Sequence, residues 1–173
     1  MRWLAALDDA RTGRYYNQSH MTPAQIAADL HQVVGEGLQL FQQVDETRTT
    51  RRVTPDTWCA REVLGHLIDS ACNNHRRFVA GQSQSMHQFD GYNQDEWVAR
   101  QHYDQVPWRD LVALWAAYNR HLAHVISITP ADTAARTALS PDGSAQVSIA
   151  FLMGDYVTHL RHHVARIRAL LTA

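Results

Sequence analysis

The chain has 173 residues with 16 Lys and Arg against 17 Asp and Glu, a formal charge of -1. That length suits one domain with a real core, and the near-neutral charge excludes any global attraction to nucleic acid or an anionic membrane. No run approaches the roughly 20 apolar residues of a bilayer span, and Met1-Arg2-Trp3-Leu4 meets charge too early for a secretory signal.

Hydrophobic spacing is helical almost throughout. Residues 1–21 form an N-terminal extension, expected to hold a short helix and a coil, ahead of a single domain over 22–173. A first long helix is predicted from Pro23 to Asp45. Thr22 is its N-cap, Gln25 completes a capping box, and the apolar stripe is Ile26, Leu30, Val33, Val34, Leu38, Phe41 and Val44. A second helix starts near Cys59 and fades near Gly81, burying Ala60, Val63, Leu64, Leu67, Ile68 and Ala71. Cys59 and Cys72 fall near this one helix, too far apart along it for a disulfide. A reduced, cytoplasmic protein is the simplest account.

The polar stretch from Gly81 to Tyr103, with a short helix near Gln94–Arg100, has the length of a crossover rather than a tight hairpin. A third helix spans Pro107 to Ile128, with Leu111, Leu114, Trp115, Tyr118, Leu122 and Val125 inward. Pro130 and Ser140-Pro141-Asp142-Gly143-Ser144 mark a loop, and a fourth helix runs from Val147 to Leu171. Four amphipathic helices of similar length close an all-α four-helix bundle, because each needs neighbours to bury its stripe.

The chemistry lies in the 11 histidines. His20, His31, His75, His87 and His102 lack a partner at ligand spacing and are read as surface or boundary residues. His159 and His163 stand four apart, on one face of the fourth helix. The buried stripe there is Ile149, Met153, Tyr156, Leu160, Val164, Ile167 and Leu171; His163 falls within it and His159 at its edge. His162 faces water. A third ligand is His66, about two turns into the second helix, or His121 on the third helix with His124 further round; spacing alone does not choose. Three neutral imidazoles leave open positions on a cation, the pattern of a catalytic rather than a closed structural site. Asp155, one turn before His159, and Asp69, one turn after His66, are candidate catalytic or orienting carboxylates. Tyr156 and Trp115 read as core. The sequence has no His-Glu-x-x-His run, paired Cys-x-x-Cys or glycine-rich phosphate loop.

Trp58-Cys59-Ala60-Arg61-Glu62-Val63-Leu64-Gly65-His66-Leu67-Ile68-Asp69 resembles the second-helix motif of the DinB/YfiT-like superfamily of metal-binding bundles. His159-Leu160-Arg161-His162-His163 resembles its closing histidine pattern, and Gly91-Tyr92-Asn93-Gln94-Asp95-Glu96-Trp97-Val98 its crossover. The likeness covers residues 22 to 171. It implies an up-down-down-up bundle with a long crossover between helices two and three, often a homodimer, with one nickel or zinc ion held by His66, His159 and His163. It favours His66 over His121. Cys59 departs from the family's capping Ser or Thr, which leaves the second helix to fray or to be held by Trp58 packing.

The implied activity is that of a metal-dependent hydrolase acting on a small-molecule substrate through metal-bound water. The alternative enzyme class is an S-transferase using a low-molecular-weight thiol. A non-catalytic metal-binding dimeric scaffold is the competing class. DNA binding, suggested only by the damage-inducible label of part of the family, has no electrostatic support.

Overall fold

The computed structural model of the protein describes residues 21–83 and 87–172. The short helix and coil expected before Met21, with His20, lie outside the described residues.

Helix α1 is Pro23–Phe41. Its capping box forms as the pattern requires: Thr22 Oγ1 accepts from the Gln25 amide at 3.3 Å, and the Thr22 amide donates to Gln25 Oε1 at 2.8 Å. The helix stops four residues short of the expected Asp45. Asp45 instead caps a 3₁₀ turn, Glu46–Arg48, accepting from the Thr47 amide at 2.9 Å. Val44 still packs on the core from the connecting loop, which is why it continued the apolar stripe.

Helix α2 is Ala60–Ser83. Cysteine cannot cap it as Ser or Thr would, and Glu62 compensates: its Oε2 accepts the Cys59 amide at 2.8 Å, the returning half of a capping box. Arg52 grips the same carboxylate at 2.6 and 2.7 Å. Both cysteines are free.

The crossover holds strand β1 (His87–Gln88), helix α3 (Gln94–Gln101, capped by Asn93) and a 3₁₀ turn at Tyr103–Gln105. His102 turns the chain between them at φ 48°. Helix α4 is Trp108–Ser127 and the short α5 is Ala131–Ala134. Strands β2 (Thr137–Leu139) and β3 (Gln146–Ser148) precede α6 (Ile149–Thr172). This small sheet was not expected. β1 runs parallel to β2 with His87 opposite Ala138, and β2 runs antiparallel to β3 with Ala138 opposite Val147. Strands of two and three residues are too short for alternation to register. The β2–β3 turn uses Gly143 at φ 72°, with Asp142 accepting from Ser140 and Ser144.

The bundle is the up-down-down-up arrangement. α4 and α6 each pack against both α1 and α2. Arg61 near the start of α2 reaches Val106 before α4, and His75 meets Tyr118 further on, so α2 and α4 run parallel. Gly81 abuts Ile149 whereas His66 meets His163, so α2 and α6 run antiparallel. Phe41 at the end of α1 meets Trp108 at the start of α4. Asp29 in α1 bonds Arg161 in α6 at 2.6 Å.

All seven stripe residues predicted for α6 are buried, as are the six of α2. One stripe residue is corrected: Leu114 in α4 is 52% exposed rather than inward, while Val112, Ala116 and Asn119 are buried. Tyr156 and Trp115 are fully buried core residues, with the Tyr156 hydroxyl donating to Asn119 Oδ1.

Candidate metal centre

His66, His159 and His163 come together between α2 and α6. One ring nitrogen of each lies within 4.8 Å of the others. His66 Nε2 and His159 Nε2 are 3.2 Å apart. The ring centroids stand 5.2 Å (His66–His159), 4.9 Å (His66–His163) and 4.5 Å (His159–His163) apart. The antiparallel seam explains the meeting: His66 lies two turns into α2 and His163 two turns before the end of α6, which puts both at one depth. His121 is elsewhere. Its ring meets that of His75 edge to face at 5.0 Å along the α2–α4 seam and is exposed, as is His124. His162 is exposed, with its ring 5.0 Å from that of His163.

Burial governs the electrostatics. His66 is 2% exposed and His163 9%, while His159 is half-buried. Desolvation, followed by the positive field of Arg166, lowers His66 to about 4. Desolvation and then His66 lower His159 to about 3; desolvation, His159 and His66 lower His163 to about 2. All three rings are therefore neutral at pH 7, with lone pairs available to a cation.

The Nδ1 atoms of His66 and His163 are buried without a hydrogen-bond partner among the described residues, and two Nε2 atoms face one another. Neutral imidazoles seldom converge in this way without a common electrophile between them. The all-nitrogen donor set suits zinc, nickel or a neighbouring transition metal and is poor for calcium or magnesium, which take oxygen.

Around the three rings stand residues the sequence reading did not single out for this role. Ser70 Oγ lies 3.4 Å from His159 Nδ1, the place where a supporting group orients a ligating imidazole. Ser70 is four residues after His66, so helical spacing could have flagged it. Trp58 packs on His66 at 5.2 Å, and the Arg166 guanidinium sits 5.7 Å from the Trp58 ring centre.

The two candidate carboxylates differ in setting. Asp69 is buried; its Oδ1 accepts from the Tyr103 hydroxyl at 2.7 Å and from Gln101 at 2.8 Å, and its Oδ2 has no partner among the described residues. Burial raises its pKa against these two hydrogen bonds. Burial also raises Asp155, to about 6, with Arg77 opposing. No hydrogen bond among the described residues joins Asp155 to His159, whose Nδ1 faces Ser70 instead.

Comparison with known proteins agrees in family and fold. The sequence model of the DinB superfamily matches residues 29–167. A Bacillus mycoides protein named "Putative metal-dependent hydrolase" is 24% identical over 142 residues, 82% of this chain and 81% of its own. A Halalkalibacterium halodurans protein of the same name is 26% identical over 132 residues, 76% of each chain. The solved structure of YfiT from Bacillus subtilis is described as that of a probable metal-dependent hydrolase with an unusual four-helix bundle topology. It superposes with a TM-score of 0.77 over 86% of this chain and 85% of its own, at 20% identity, and shares the fold. Among the described residues no helix is long and apolar enough to cross a membrane.

Proposed function

The chain belongs to the DinB superfamily, and from that premise we propose that it is a metal-dependent hydrolase of a small-molecule substrate, with zinc or nickel held by His66, His159 and His163. The observation that carries this reading is the convergence of three neutral, buried or half-buried imidazoles from two helices within 4.8 Å.

A divalent cation there would supply Lewis acidity, acidifying water and polarising a carbonyl or similar electrophile. The chain's own residues do the rest. Ser70 steadies the His159 ring through Nδ1. Asp69, fixed by Tyr103 and Gln101 through one oxygen, keeps the other free to take or return a proton. Asp155, at about 6, exchanges a proton close to neutrality and is the second such carboxylate. The Tyr103 hydroxyl, raised well above its usual range by burial and by Asp69, stays protonated and donating. A homodimer in the cytoplasm completes the reading; sedimentation of the purified protein checks the first part.

Metal analysis of untagged protein tests the centre. Wild type is expected to hold one zinc or nickel per chain. His159→Ala or His163→Ala should remove most of it, while His162→Ala, on the water-facing side of α6, should stay near wild type. Equal metal loss in all three variants would contradict the assignment. Ester and amide screens against thiol-conjugation screens, run on the loaded protein, separate the hydrolase from the thiol S-transferase.

A further inference from the structure

We propose that Arg166, whose guanidinium lies over the Trp58 ring at the edge of the three-histidine centre, forms a subsite for an oxyanion on the substrate, a carboxylate or a phosphate. The inference rests on the metal-dependent reading above and names the substrate class it leaves open.

Arg166 follows His163 by three residues, one turn further along the same side of α6. Its guanidinium carbon is 5.7 Å from the centre of the Trp58 ring, and that ring is 5.2 Å from His66. Trp58 thus bridges the arginine and a ligand imidazole. Both residues are half-buried, so the pair borders the site rather than lying in the core.

The charge balance is unusual. Among the described residues no carboxylate pairs with Arg166; the ion pairs of the fold take up Arg52, Arg61, Arg76, Arg100, Arg109 and Arg161. Its guanidinium lies one aromatic ring away from His66, on the side of α6 that carries His163. A cation without a counter-ion among the described residues, beside a site that takes a dication, repels the metal unless an anion lies close to both. Binding an anionic group there relieves that repulsion. A guanidinium over an aromatic face spends none of its N–H donors on a carboxylate of the fold, and it holds an oxyanion in two-point fashion where lysine offers only a point charge.

The test uses the full chain loaded with one equivalent of Co(II), with acetate, inorganic phosphate and neutral acetamide titrated against the visible spectrum. Arg166→Gln should weaken acetate or phosphate binding about tenfold, the scale of one lost charge-assisted hydrogen-bond pair. Cobalt affinity should hold or rise, because a repelling charge is gone. Arg166→Lys should recover part of the loss, and acetamide should be indifferent to all three. Unchanged anion affinity in Arg166→Gln overturns the subsite, as does an equal loss for acetamide, which would mark a packing role for the Trp58 contact. Failure of the wild type to take up cobalt overturns both the metal reading and this inference; uptake with unchanged anion binding overturns only the latter.

Discussion

His66, His159 and His163 are histidines in an unusual sense: their surroundings keep them uncharged far into acid. Without metal this couples folding to pH. In the unfolded chain each ring takes a proton as pH falls through about 6.5, whereas in the folded chain it does so only near 4 or below. Between those values the unfolded state binds more protons, so stability is full above 6.5 and is lost as pH falls. The slope is about 1.4 kcal/mol per pH unit for each histidine. Urea midpoints in chelator at pH 7 and pH 5 should therefore differ in wild type, and His66→Gln should flatten the dependence by one histidine's worth. An unchanged slope would mean that the folded protein already carries a proton at that ring.

At the level of elements, α2 and α6 share the centre and the crossover holds α2 in register. Gly65, one residue before His66, lies under the Tyr103 ring, and a Cβ there would run into that ring. Tyr103 cannot step aside easily, because its hydroxyl is bonded to Asp69. Overpacking of this sort costs about 1–3 kcal/mol, and the gain of alanine over glycine in a helix is only about 1. Gly65→Ala should lower the melting temperature, while Gly35→Ala in α1, where nothing lies within 4 Å of the added carbon, should raise it slightly. If both variants behave alike, the Tyr103 contact is not what holds the crossover down. The helices themselves were legible from the stripe of each, as Thr22 with Gln25 and the α6 stripe illustrate. Contacts made by tertiary approach were not. Cys59 gave no sign that Glu62 and Arg52 would secure the helix start, and the strands around Ala138 offered too few residues for a pattern. In the sequence Trp58 shows only as packing, and Arg166 shows no role at all, because its relation to His66 exists only once α6 lies against α2.

The whole bundle explains why apolar periodicity alone left His66 and His121 equal: both border a stripe, and a stripe does not say which neighbour covers it. With α4 and α6 each wedged between α1 and α2, α2 has two seams. The α6 seam collects His66, His159 and His163, and the α4 seam collects His75 and His121. The centre thus occupies a part of one seam, while the core residues Phe41, Trp108 and Trp115 hold α1 to α4 with no part in it. Removing metal should leave that core intact. Far-UV helicity should survive excess chelator at 25 °C, while the melting temperature falls. With free metal at 100 times its dissociation constant the stabilisation is about 2.7 kcal/mol, and a chain of this length shifts about 2–4 °C per kcal/mol. The expected drop is therefore roughly 5–10 °C at that loading, and hydrolytic activity should vanish with the metal and return on its restoration. Collapse of the helical signal on chelation would instead assign the ion to the fold, as in a structural zinc site, and would take the hydrolase reading with it.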